Sequence, residues 1–423
     1  MTGIGGPGGV VLDALAVFVG LFPMLVAMLA IDSSRRFALD RRGISTARVE
    51  PQRTDWEAAR ATWPEVAVVI PARDEEGTIA AAVRSALALR WPSVRVVVVD
   101  DGSVDATAVE VEAIGDPRVE LLRRPEPGGK SAALDLAIGR IGTEVVLILD
   151  ADARPEIDVL DLLVPQLLHH TDVGAVTADP RVADTSTLLG VLQAIEFSGT
   201  VSALRRGQAS WGRVCTMSGV CTLLRREAVE AVGGFATDMH AEDIELSWRL
   251  QLAGWRVEYE PDALVAMHVP TTWRSWVRQR RRWATGLVEA LRRHARSILR
   301  RENRFMWPIA LEAGLSIFWC HLLVFFTALW LVGTVVEGPV GLSPVPARWG
   351  ALSLVVALAQ ILWGAHLDAK KDPAIRSTWW AAPLYPLLYW WASAGIVVLA
   401  TVPTLLRRDR RVTWEPDREP LRT

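Results

Sequence analysis

The sequence predicts a doubly wound α/β domain with a mostly parallel sheet, inserted between transmembrane helices. Two observations predict it. Short β-branched runs, VAVVI at 66–70, VRVVVV at 94–99 and VVLIL at 145–149, alternate with amphipathic segments such as Thr78 to Leu89 and Lys130 to Ile138. That alternation is the pattern of strands joined by crossover helices. The hydrophobic fraction is 51% with 19 tryptophans, and the apolar residues gather toward the two ends of the chain, as in a membrane protein with a water-soluble middle. The formal net charge of −2 excludes a generally basic, nucleic-acid-coating protein, so no nucleic-acid partner is expected. Cys215, Cys221 and Cys320 form neither a CxxC pair nor an even framework, so neither a disulfide scaffold nor a zinc site is implied.

Residues 1–47 read as a membrane helix with a basic flank. Gly9 to Ile31 is apolar except for Asp13 and lacks an A-x-A cleavage pattern. Arg35, Arg36, Arg41 and Arg42 follow at once, and the positive-inside bias then puts the middle domain on the cytoplasmic face of the cell membrane. A polar linker is expected over 43–63, and the soluble domain over 48–270. Its later elements are a strand around Val214 to Leu224, a helix from Glu242 to Ala253 and an extended segment from Arg256 to Val269.

Residues 271–305 differ in kind. Between 271 and 304, eleven arginines stand against two glutamates, interleaved with Trp273, Trp276 and Trp283. A basic, tryptophan-bearing helix ahead of a membrane span is expected to lie at the headgroup level, with membrane lipid as its partner. The region 306–423 then offers three apolar spans, Ile309 to Val336, Trp349 to Leu367 and Trp379 to Val402, each long enough for a hydrocarbon core of about 30 Å. Three crossings would put Arg407 to Arg411 outside, against the positive-inside bias. Pro383 and Pro386 offer a break in the last span, and the parity stays open. Glu312 and His321, ionisable groups within the spans, should face protein or a water-filled path, His321 as a hydrogen-bonded residue between helices.

Charged clusters sit at the ends of successive strands. IPARDEE (70–76) follows the first, with Pro71 in it and Glu75 and Glu76 at the lip; VVDDGS (98–103) follows the second, where Asp100 and Asp101 suit a base and a ribose. PGGKSAAL (127–134) opens a helix whose glycines and N-terminus suit a diphosphate, with Lys130 as a point charge. EVVLILDADAR (144–154) ends a buried strand in Asp150 and Asp152, which can converge on one hard cation, Mg2+ or Mn2+. The pattern points to a nucleotide-diphosphate pocket with a metal. No GxGxxG follows the first strand, so a dinucleotide site lacks its phosphate loop. In HAEDIELSWRLQLAGW (240–255), Glu242 reads as a helix cap and Asp243 as a general base for a sugar hydroxyl. Thirty-six residues on, QRRRW provides Gln279, Arg282 and Trp283 to hydrogen-bond, neutralise a leaving diphosphate and stack on a sugar face.

The order IPARDEE, VVDDGS, GGK, DAD, SGV (218–220), AED and QRRRW resembles the family 2 glycosyltransferases of Rossmann-like GT-A fold, in the membrane-embedded branch that includes bacterial poly-β-1,6-N-acetylglucosamine synthases. DIELSWRLQLAGWRVEYEPDAL (243–264), QRRRWATG (279–286) and the tail LYPLLYWW (384–391) with VTWEPDR (412–418) carry the likeness. The resemblance implies an inverting, metal-dependent transfer of a sugar, N-acetylglucosamine by this likeness, from a UDP-sugar to a growing β-linked polysaccharide. It implies that Asp100 and Asp101 hold the uridine, that Lys130 approaches the diphosphate and that Asp150 and Asp152 hold the metal. Asp243 would be the base, with Gln279, Arg282 and Trp283 at the acceptor and diphosphate. Asp74 stands where the family usually has asparagine, Ala241 where it has the threonine of a TED motif, and Pro270-Thr271-Thr272 where a proline-glutamate-threonine run is common. One helix precedes the soluble domain where the synthases commonly have two. Two alternatives are transfer of a single sugar to a membrane lipid, and a nucleotide-regulated export component without transferase activity. The size of the product separates the first, and UDP release from a donor panel the second.

Overall fold

A computed structural model describes residues 7–47, 63–337 and 347–406 of the chain. The three expected apolar runs form the strands β1 (Val66–Ala72), β2 (Val94–Asp100) and β4 (Val145–Leu149). Their apolar character is continuous because each strand is covered on both faces. Val66, Val68 and Ile70 enter one hydrophobic core with Val96, Val98, Leu147 and Leu149. Ala67, Val69, Val97, Val99, Val146 and Ile148 enter a second. Helices α2 (Ile79–Leu87) and α5 (Val159–His169) close the first core, while α4 (Lys130–Arg140), α8 (Arg226–Ala231) and α9 (Glu242–Leu252) close the second. Short α3 (Thr107–Glu112) follows β2, and α1 (Pro7–Ala47) precedes the whole domain.

With β3 (Val119–Arg123), β5 (Ala153–Pro155), β6 (Val173–Val182), β7 (Cys221–Arg225) and β8 (Arg256–Met267), the sheet has eight strands in the order β3-β2-β1-β4-β7-β6-β8-β5. It is mixed instead of mostly parallel. β7 runs antiparallel to both β4 and β6, and β5 antiparallel to β8. The strand expected over Val214 to Leu224 begins only at Cys221. Before it, backbone N–H groups are claimed by side chains: Val214 donates to Gln251, Met217 to the Ser247 hydroxyl and Ser218 to the Thr177 hydroxyl, so no ladder forms there.

A helical rod follows β6: α6 (Leu188–Ile195), a π-helical segment Glu196–Ser202 and α7 (Ala203–Ser210). The QRRRW segment lies in α10 (Trp273–Ile298). The apolar C-terminal region forms α11 (Trp307–Glu337), α12 (Ala347–Asp368) and α13 (Trp390–Leu406). Four helices among the described residues are long and apolar enough to cross a membrane, over Val10–Leu39, Arg301–Val336, Gly350–Asp368 and Tyr385–Leu406.

Several expectations are corrected here. The first helix runs on through its arginine flank to Ala47, into the segment expected as linker, and 48–62 lie outside the described residues. The last apolar stretch is interrupted at 382–383, beside Pro383, between a 3-10 helix Pro373–Ala381 and a π-helical turn Tyr385–Tyr389 that runs on into α13, so a span over Tyr385–Leu406 remains. Arg407 to Arg411 and 412–418 lie outside the described residues. Trp276 is wholly buried and donates to the Tyr389 hydroxyl at 2.6 Å, so of the three tryptophans assigned to the headgroup level this one is a core residue; Trp273 is exposed. His321 bonds the carbonyl of Ile317 in its own helix at 2.8 Å, and Glu312 accepts from Gln208 at 3.1 Å.

Candidate active site

The reversal of β7 brings together what sequence order separates. Antiparallel to β4, it delivers its leading residues, 218–220, to the edge where β4 ends, and the Asp150 N–H donates to the Val220 carbonyl at 3.0 Å. At that point Lys130, the first residue of α4, reaches its ammonium to Asp150 at 2.7 Å, to Glu242 at 3.1 Å and to the Gly219 carbonyl at 3.3 Å. A methyl group at Gly219 would come within 3.2 Å of both Lys130 Nζ and Asp243 Oδ2. The glycine keeps that approach open. Three motifs distant in sequence, GGK, DAD and AED, thus share one cation.

Asp243 Oδ2 accepts from the Gly219 N–H at 3.2 Å and Oδ1 from the Ile244 N–H at 2.8 Å. Burial, reinforced by the neighbouring Glu242 charge, pushes its pKa up to about 6, against the opposing pull of Lys130 and Arg282. Burial also acts on Glu242, yet Lys130 and Arg282 together hold that carboxyl below its usual range. Burial would lower the Lys130 pKa, but Asp150, Glu242 and Asp243 outweigh it and raise it. Adjacent acids in one helical turn are therefore split, Glu242 shifted down and Asp243 shifted up.

Around these groups lies a cavity of about 280 Å³. Its lining includes Pro71, Glu75, Lys130, Asp150, Asp152 and Asp243, and from α10 also Gln279, Arg282 and Trp283. Helix α10 reaches so close because Gly286 sits on Ala241, where an added Cβ would stand 2.3 Å from the alanine Cβ. Trp283 is held from behind. The Arg280 guanidinium lies 4.2 Å from its ring centroid, and Phe197 meets it edge-on at 6.2 Å. Arg280 pairs with Glu196, which accepts from the Tyr389 hydroxyl at 2.7 Å.

Asp100 and Asp101 are not among the lining residues. Asp100 caps its own turn, accepting from the Ser103 N–H at 2.9 Å. Asp101 is fully buried, paired with Arg124, and accepts from the N–H groups of Gly128 and Gly129 at 2.9 and 2.8 Å. Its carboxylate thereby shapes the GGK loop that carries Lys130. Glu76, expected at the lip, turns instead to the neighbouring loop, where it accepts from the Ala106 N–H at 3.2 Å and its own N–H donates to Asp105 at 3.0 Å.

Glu242, expected as a cap, is a cavity residue; its adjacency to Asp243 was the signal. Phe197, Arg205 and His268 also line the cavity and were not anticipated. Of these only Arg205 left a trace in the sequence, as an arginine with no acidic residue three or four positions away.

Residues 64–286 match the family described as Glycosyltransferase like family 2. Over 355 residues, 82% of this chain and 85% of the other, the chain is 31% identical to a poly-beta-1,6-N-acetyl-D-glucosamine synthase of Staphylococcus aureus (strain MSSA476). It is 28% identical over 365 residues, 84% and 87% of the two chains, to the synthase of that name from Staphylococcus epidermidis. Among solved structures, the mannosyltransferase PcManGT from Pyrobaculum calidifontis, in complex with GDP-Man and Mn2+, shares the fold, with a TM-score of 0.65 and 23% identity over 93% of this chain and 99% of that one.

Proposed function

The chain belongs to glycosyltransferase-like family 2 and is a sugar transferase; from that premise we propose that it transfers N-acetylglucosamine, with inversion, from UDP-N-acetylglucosamine to a growing β-linked polysaccharide. The observation that carries this is the convergence of Lys130, Asp150, Glu242, Asp243 and the α10 residues Gln279, Arg282 and Trp283 on one cavity. The sugar and the polymer are taken from the relatives named as synthases. The domain faces the cytoplasm, where UDP-sugars are made, in keeping with Arg35 and Arg36, which follow the apolar residues 9–31 within α1.

Asp243 takes the proton of the acceptor hydroxyl as that oxygen attacks the anomeric carbon. The bond from that carbon to the diphosphate oxygen breaks on the opposite side, and UDP leaves. Lys130 and Arg282 face the negative charge that develops on the leaving group. Trp283 offers a flat apolar surface to the acceptor ring and Gln279 a hydrogen-bonding edge.

Asp150 and Asp152 would hold a divalent cation, Mg2+ or Mn2+. Two adjacent carboxylates lining the cavity are the hard oxygen donors such an ion takes. The donor's diphosphate would lie beside this pair, next to Lys130. When bound, the cation supplies positive charge to that diphosphate.

Membranes containing the protein, incubated with labelled UDP- and GDP-sugars and either cation, should make long products from UDP-N-acetylglucosamine alone. A single added sugar extractable into organic solvent overturns the polymer, and absence of UDP release from every donor overturns the donor. Asp243→Asn should keep UDP binding and lose at least about a hundredfold in transfer, the scale of general base catalysis; near-normal turnover overturns the base.

A further inference from the structure

Arg205 is a charged cavity residue that the proposed chemistry leaves unused. It is 7% exposed, its Nε and Nη1 are buried without a hydrogen-bond partner, and no ion pair involves it among the described residues. Lys130 has its carboxylates, and Arg282 acts on Glu242 and Asp243. Leaving two donors of a buried guanidinium unpaired is costly, and a ligand in the cavity would offset that cost.

Its neighbours fix its direction. Arg206, the next residue, is tied to Asp368 at 2.5 Å. Gln208, one turn on, donates to Glu312 at 3.1 Å and accepts from the Cys215 N–H at 2.9 Å. Helix α7 therefore cannot roll to carry Arg205 elsewhere. Phe197, Val201 and Arg205 follow at four-residue spacing, and all three line the cavity as one wall of the rod, which meets Trp283 through Phe197.

Resting on the transferase reading above, we propose that Arg205 binds the acceptor, donating hydrogen bonds from its guanidinium to hydroxyl or N-acetyl carbonyl oxygens of the terminal sugar while Trp283 covers a face of that ring. Aromatic rings and a planar fork of N–H donors on one wall match the two kinds of surface a neutral sugar presents, C–H faces and an oxygen-rich rim. The diphosphate end of the donor already has Lys130 and Arg282.

The test uses the full-length protein in neutral detergent with UDP-N-acetylglucosamine and short N-acetylglucosamine oligomers as acceptors. Arg205→Met keeps the length and removes the charge, and replacing a buried charge with an apolar side chain does not by itself unfold a protein. The acceptor KM should rise roughly tenfold or more, the scale of lost hydrogen bonds to a charged group. The Kd for UDP, measured by calorimetry with Mn2+, should stay within twofold, which also certifies the fold. Arg205→Lys should recover part of the loss. An unchanged acceptor KM overturns the proposal, as it would if Arg205 served a lipid phosphate. So does a rise in the donor KM with weaker UDP binding, which would assign Arg205 to the diphosphate. If the unsubstituted protein transfers from no nucleotide-sugar, the transferase reading fails first.

Discussion

As the proposed base, Asp243 must be ionised to accept a proton, and burial beside Glu242 raises its pKa to about 6. The deprotonated form is the active one, so kcat/KM should be at its plateau above that pH and fall tenfold per unit below it; a profile flat down to pH 5 would remove Asp243 from the proton transfer. The acids of the cavity were legible in the sequence because each sits beside a marker of place, a strand end or a helix start. The surroundings of Asp101 were not, because a sequence reports a carboxylate without reporting who claims it. The claimants of Asp101, Arg124 and the Gly128 and Gly129 N–H groups, lie more than twenty residues away. Asp74 has a local explanation. It sits at φ +53°, the one non-glycine residue at positive φ among those described, a conformation that asparagine and aspartate tolerate best.

At the scale of elements, period and composition located β1, β2, β4 and β8, began β7 too early and missed β3, β5 and β6. β6 carries Asp179-Pro180-Arg181 through a register shift between Thr177 and Asp179, so its polar residues broke the pattern of a buried strand. They are buried nonetheless, and ion-paired with one another and with Asp368. Helix α10 was legible as a basic helix, but not as the prop of Trp283, because that prop comes from the broken element near Tyr389. Tyr389→Phe tests the connection. It deprives both the Trp276 N–H and the Glu196 carboxylate of the hydroxyl, and should lower stability by about 1–3 kcal/mol, read as a drop in Tm in detergent. Turnover should fall while the UDP Kd holds. An unchanged Tm and turnover would mean that the chain of contacts behind Trp283 carries nothing.

The molecule as a whole is joined by charge and by backbone. Asp179 and Arg181 of the sheet, Arg206 of α7 and Asp368 at the end of α12 form a buried group of two acids and two bases, with Arg181 at 2.9 Å and Arg206 at 2.5 Å from Asp368. Buried pairs of this kind add little over an apolar filling, but removing one member strands the others. Asp368→Ala should therefore destabilise the protein by about 3–5 kcal/mol in thermal melts, and Asp368→Ala with Arg206→Met should recover part of the loss. Equal melts for the two variants would show that the charges are not coupled.

Close by, Gly364 of α12 rests directly on Gly199, with each glycine's added Cβ within 2.9 Å of atoms across the contact. Ile361 packs against the same spot, its Cγ2 2.9 Å from the position of a Cβ at Gly199, and the rod carrying Phe197 thus lies against an apolar helix of 19 residues, Gly350–Asp368, roughly 28 Å long. A helix in a bilayer tilts to match the thickness around it. A tilt of α12 would press on the cavity wall through this contact, so acyl-chain length belongs with temperature and pH among the quantities held fixed when rates are compared.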